Sequence, residues 1–73
     1  ILDQGIADCV FEENGELILV DYKTDRVKNE NELLDRYKKQ IAFYRMAIEK
    51  TLKKPVKEAV LYSFCLEKVC IYK

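Results

Sequence analysis

The chain has 73 residues, 49% hydrophobic and 36% charged, which makes it too apolar for a disordered segment and too interrupted by charge for a membrane span. Its 13 basic and 13 acidic residues cancel, so no global field draws it onto nucleic acid or anionic lipid, and any such binding has to be local. At this length there is core enough for one domain, or a piece of one.

Ile1 opens the chain without a methionine, a basic leader or an apolar signal core, so residues 1–73 read as one part of a longer, cytoplasmic protein. Two β-rich runs follow, Ile6 to Glu13 and Glu16 to Lys23, separated by Asn14-Gly15, the pair that best tolerates the positive φ angles of a type I′ hairpin turn. Asn29 then caps a helix, with Glu32 three residues on as the partner in a capping box. Leu33, Leu34, Tyr37, Ile41, Tyr44, Ile48 and Leu52 recur at steps of three or four, predicting an amphipathic helix of about five turns ending near Leu52. Lys53, Lys54 and Pro55 stop it, with positive charge at the negative end of the dipole and then a residue that cannot continue. Val56 to Phe64 and Glu67 to Tyr72 read as two more strands, paired through a turn at Cys65 and Leu66. The expected order is β-β-α-β-β, an α/β (α+β) arrangement of a hairpin, a long helix and two further strands in a mixed sheet.

The three cysteines, Cys9, Cys65 and Cys70, lie in apolar runs and there is no histidine, so no zinc or redox motif is formed and they read as buried, reduced thiols. The first hairpin is apolar on both sides. Val10, Leu17 and Leu19 fall on one face and Ala7, Cys9, Phe11, Ile18 and Val20 on the other. One helix covers one face, so the second layer is expected from sequence upstream or from a partner.

With Asn14 and Gly15 as the turn, Glu13 faces Glu16, and each step outward sets Asp8 opposite Asp21. Two carboxylates roughly 5 Å apart repel by about 3 kcal/mol at an effective dielectric near 20. Lys23 shares their side of the pleat, diagonal to Asp8. Two acids and a lysine converge. Such a pair can hold Mg²⁺, which takes one or two protein carboxylates and fills its other positions with water and phosphate oxygens. The cation would supply the nucleophile and Lys23 would orient it or neutralise charge on a phosphoryl group, which is metal-assisted phosphodiester hydrolysis. The plainer alternative is a set of solvated strand-end residues with Lys23 as ion-pair partner, worth about 0–1 kcal/mol. Against it, Asp21 follows the run Leu17-Ile18-Leu19-Val20, where a buried strand end is expected.

Gly5-Ile6-Ala7-Asp8, then Val20-Asp21-Tyr22-Lys23-Thr24-Asp25, then Gln40 and Tyr44 four apart on a helix, together resemble the RecB-type branch of the PD-(D/E)xK nucleases. Within that branch the likeness is to the C-terminal nuclease domain of AddA-type helicase–nuclease subunits, and it runs through the Leu61-Tyr62-Ser63-Phe64 strand. The resemblance implies a restriction-endonuclease-like core fragment and a Mg²⁺-dependent deoxyribonuclease (exonuclease) domain, with Mn²⁺ as a substitute metal. It implies Asp8 and Asp21 as metal ligands, Lys23 as the catalytic lysine, and Gln40 and Tyr44 as the helix motif beside them. The partners implied are DNA, the rest of a helicase–nuclease polypeptide and its AddB-like subunit, working in double-strand-break repair and recombination. Family members usually carry a preceding helix and an upstream acid or histidine, to which nothing in these residues corresponds.

Positions i and i+4 share a helix face, so Gln40 and Tyr44 would both point toward one sheet edge. Tyr44 also lies on the apolar stripe and is accounted for equally by packing. Among the cations between the second strand and the helix, Glu32 with Arg36 and Asp35 with Lys39 are spaced as local ion pairs. That leaves Arg26, close behind the strand, as the candidate DNA-phosphate contact. Two other readings stay open: a RecB-like nuclease from a phage or CRISPR adaptation system, and a non-catalytic DNA-binding or assembly domain. An intact Asp8, Asp21 and Lys23 argues against the latter.

Overall fold

The computed structural model describes residues 9–72. The expected positions Gly5, Ile6, Ala7 and Asp8 therefore lie outside the described residues. Four strands, β1 (Cys9–Glu13), β2 (Glu16–Lys23), β3 (Val56–Ser63) and β4 (Lys68–Tyr72), form one mixed sheet in the order β1-β2-β3-β4, with helix α1 (Glu30–Leu52) between β2 and β3.

The turn chemistry sets the hairpin. Asn14 and Gly15 both take positive φ, at 52° and 80°, and the pairing runs from Glu13 opposite Glu16 to Cys9 opposite Val20. Asn29, extended in φ and ψ, accepts the Glu32 N–H at 2.9 Å. Glu32 turns its carboxylate to the Lys28 N–H at 2.8 Å rather than to the cap residue's own, so the expected box is shifted by one position. α1 runs for 23 residues, more than the five turns expected. It ends where Lys53 enters the left-handed region at φ 57° and its N–H bonds the Glu49 carbonyl. Glu49 Oε2 also accepts the Val56 N–H at 2.7 Å, and Arg45 donates to the Val56 carbonyl at 2.9 Å. Two helix side chains thus fix where β3 begins.

β3 lies parallel to β2 and antiparallel to β4. A parallel neighbour needs a crossover, which α1 supplies. The helix lies over β3 and β4 and buries Leu33 and Ile41 against Leu17, Leu19, Val56, Ala59, Leu61 and Cys70. β1, at the far edge, gets less cover, and Val10 on the inner face is 40% exposed. The outer face keeps Phe11, Tyr22, Phe64, Val69 and Ile71 exposed. Of the cysteines, Cys70 is buried as expected, but Cys9 is only half-buried and Cys65 is exposed. Cys65 sits in the turn between β3 and β4, where its backbone cannot follow the pleat, and its Sγ donates to the Val27 carbonyl at 3.5 Å. No helix among the described residues is long and apolar enough to cross a membrane.

Candidate active site

β2 alternates from Glu16 to Tyr22, with Leu17, Leu19 and Asp21 buried, Ile18 and Val20 half-buried and Tyr22 exposed. The pleat alone puts Asp21 on the helix-covered face, at the point where an apolar run gives way to a charge. Asp21 is 6% exposed. Its Oδ2 is 2.9 Å from Lys23 Nζ, and both side chains are largely withdrawn from solvent. An ammonium and a carboxylate on positions i and i+2 of one strand project to the same side, so this pair is local in sequence and needs no remote element to align it.

The Lys23 backbone is held as well. Its carbonyl accepts the Phe64 N–H at 3.0 Å, one step beyond the last ladder pair, Lys23 with Ser63. Ser63 is fully buried, and its Oγ accepts the Leu66 N–H at 3.0 Å, which closes the turn into β4.

A second carboxylate comes from the segment after β2. Asp25 accepts the Tyr37 hydroxyl, at 2.9 Å to Oδ1 and 2.7 Å to Oδ2, and Arg36 Nη1 at 2.8 Å. Arg36 also reaches Glu32 Oε2 at 3.2 Å, forming the expected pair; among the described residues Asp35 and Lys39 do not pair. Burial pushes the Asp25 carboxyl up, but the hydrogen bonds from Tyr37 and Arg36 outweigh it, and the group titrates below its usual range. Burial, then the bond to Asp25 and its charge, push the Tyr37 hydroxyl up to about 12. The ring of Tyr37 faces Lys23, whose Nζ lies 4.0 Å from its centroid. Asp21, Lys23, Tyr37, Asp25 and Arg36 form one connected chain of contacts from β2 to the first turns of α1.

The residues expected from sequence are distributed as follows. Asp21 and Lys23 are together on the inner face. Asp8 falls outside the described residues; the described register reaches Cys9 opposite Val20, one pair short of it. Gln40 is half-buried on α1, and Tyr44, one turn further, packs against the apolar cluster. Arg26 is exposed in the segment between β2 and α1. Sequence reasoning missed Tyr37, which it took as part of the apolar stripe, and the link from Asp25 to α1. A tyrosine on such a stripe, with an unassigned acid in the preceding loop, was the available signal.

The donor set suits a hard cation. The buried ligand-type group is a carboxylate, histidine is absent from the chain, and burial raises the Cys70 thiol further from its metal-binding form. Among the described residues no three histidine, cysteine, aspartate or glutamate side chains gather around one point.

A family model described as the PD-(D/E)XK nuclease superfamily matches residues 4–69. The chain is also similar to proteins of several bacteria that are named as a subunit of an ATP-dependent helicase/nuclease. It is 53% identical over 64 residues to that of Clostridium kluyveri, covering 88% of this chain and 5% of that protein. It is 50% identical over 70 residues to that of Lachnoclostridium phytofermentans, covering 93% and 5%, and 48% identical over 68 residues to that of Anoxybacillus flavithermus, covering 88% and 6%. The chain thus spans about a twentieth of the length of these relatives. The four-stranded mixed sheet with one covering helix is consistent with a restriction-endonuclease-like core. With the Asp21-x-Lys23 signature buried at the end of a central strand and most of its length inside the family match, this chain belongs to the PD-(D/E)XK nuclease superfamily.

Proposed function

We propose that the chain is the Mg²⁺-dependent deoxyribonuclease module, acting as an exonuclease, of an ATP-dependent helicase–nuclease that works with an AddB-like subunit on cytoplasmic DNA in double-strand-break repair. The observation that carries this reading is the buried Asp21–Lys23 pair at 2.9 Å. A carboxylate withdrawn from water on an apolar face is costly unless it is paired or ligates a cation, and here it sits beside an ammonium that can follow charge onto a substrate.

In this reading Asp21 and Asp8 hold Mg²⁺. The ion, when bound, activates water and offsets charge on the phosphoryl group. The rest of the work falls to the protein. Asp21 orients Lys23 before substrate arrives. Lys23 then donates to a phosphate oxygen as negative charge accumulates there, in surroundings that solvent screens poorly. Arg26, exposed just past β2, meets the DNA backbone and positions it without reading sequence. In this reading Gln40, half-buried on α1, and Tyr44, one turn further, serve as the helix motif of the site.

Two measurements test this. In calorimetric titration, Mn²⁺ binding is expected to survive Asp25→Ala and to disappear in Asp21→Ala. In a cleavage assay, Asp21→Asn and Lys23→Met are each expected to abolish hydrolysis of DNA; unchanged cleavage in either variant refutes the assignment.

A further inference from the structure

The geometry points to Tyr37 as the positioning residue for Lys23: its ring, anchored through the hydroxyl to Asp25, fixes where the lysine ammonium sits. The inference rests on Lys23 acting in catalysis and adds the part that holds it.

A lysine on a strand end has a flexible four-carbon stem, and its ammonium is a compact charge with no preferred direction of its own. Three contacts restrain this one. The Asp21 carboxylate takes one side at 2.9 Å, the Phe64 N–H pins the lysine carbonyl at 3.0 Å, and the Tyr37 ring forms a floor 4.0 Å from Nζ. Of the two contacts made to the ammonium itself, the ring alone can stay in place during turnover. If Asp21 turns its oxygens to a cation, the carboxylate loosens its hold on the ammonium at the moment when lysine placement matters. The ring bears no net charge and competes for neither the metal nor the phosphate, yet its electron-rich face still attracts the ammonium.

The ring is itself fixed. The Tyr37 hydroxyl donates to Asp25 at 2.7–2.9 Å, and Arg36 Nη1 holds the same carboxylate at 2.8 Å. Arg36 is braced in turn by Glu32, whose other oxygen accepts the Lys28 N–H where α1 begins. A swing of the side chain about its Cα–Cβ bond would carry the hydroxyl off Asp25 and break a charge-assisted bond. Supporting groups of this kind hold a catalytic side chain within a fraction of an ångström, and a misplacement of about 1 Å can cost about 100-fold in rate.

The test uses the intact protein that carries this chain, with single-turnover DNA cleavage and the Mg²⁺ concentration for half-maximal rate measured together. Tyr37→Leu is expected to lower the rate by about 100-fold and to leave the Mg²⁺ requirement unchanged. Tyr37→Phe, which keeps the ring, is expected to recover most of that loss. Pentafluorophenylalanine at the same position keeps the shape but reverses the charge distribution of the ring, and is expected to be slower than phenylalanine by about tenfold. It also serves where Tyr37→Leu fails to fold. Equal rates for the two aromatic rings, or a Mg²⁺ requirement that shifts together with the rate, would overturn the role of Tyr37 and leave it a packing residue. Undiminished cleavage by Lys23→Met alone would instead refute the catalytic role of Lys23, a result separate from the first.

Discussion

The two faces of the sheet are made by the same strands and have opposite characters. The inner face carries Leu19, Asp21, Leu61, Ser63 and Cys70, all withdrawn beneath or beside α1, whereas the outer face carries Phe11, Tyr22, Phe64 and Val69, each about half exposed. Consecutive residues separate the two. Asp21 is 6% exposed and Tyr22 is 49% exposed. The side with the polar chemistry is the dry side, and the wet side is aromatic, with Tyr62 edge-on to Phe64 at 5.0 Å and Tyr22 near both. Putting the ion pair under the helix strengthens it because little water screens it. The aromatic face is tolerated in water because each ring also covers its neighbours.

The contrast can be broken most severely at Asp21. Asp21→Ala strands the Lys23 ammonium in a partly buried setting, and about 3–5 kcal/mol of destabilisation is expected in chemical denaturation. A paired test compares the faces directly: Leu61→Ala, at a fully buried position, is expected to cost about 2–5 kcal/mol. Val69→Ala on the open face should cost less than about 1 kcal/mol. Equal costs would mean that the open face is covered in solution. Weakening the covering layer itself is milder. Asn29→Ala removes the side chain that accepts the Glu32 N–H, and a loss of about 1 kcal/mol is expected from the same denaturation curves.

The smallest effect concerns pH. The Asp25 carboxyl titrates below its ordinary range when folded. Its bonds therefore stabilise the chain above the unfolded value, about 3.9, and that stabilisation is lost as pH falls through the folded value. Stability curves of the parent chain and of Asp25→Asn are expected to differ at neutral pH and to converge below about pH 4. A gap that persists in acid would assign the difference to shape rather than charge.

Much of this contrast was legible in the sequence. Asn14-Gly15 determined the register of the hairpin, and with it the side on which Leu17, Leu19, Asp21 and Lys23 lie, because the strand period is two. Asn29 and the lysines before Pro55 marked the ends of α1 because orphan N–H and C=O groups at helix ends select those residue types. The burial of Asp21 followed from the apolar run before it. What could not be read was whatever depended on how the elements dock. Tyr37 lies on the apolar stripe by spacing, and no periodicity tells that its ring faces Lys23 while its hydroxyl finds an acid twelve residues earlier. The exposure of Cys65 likewise depended on the turn taking the chain out of the pleat.

The crossover through α1 has a consequence for assembly. β2 meets one neighbour across a two-residue reversal and the other across a gap that spans the entire helix, from Leu17 to Val56. A nascent chain can zip the near partner on its own, but the far one has to wait until the intervening segment has coiled, since closing a long loop costs entropy before any contact repays it. The strand that bears Lys23 is therefore half-docked early and finished late. Until the last step, the lysine lacks the floor beneath its ammonium, and its surroundings are complete only once the whole unit has closed.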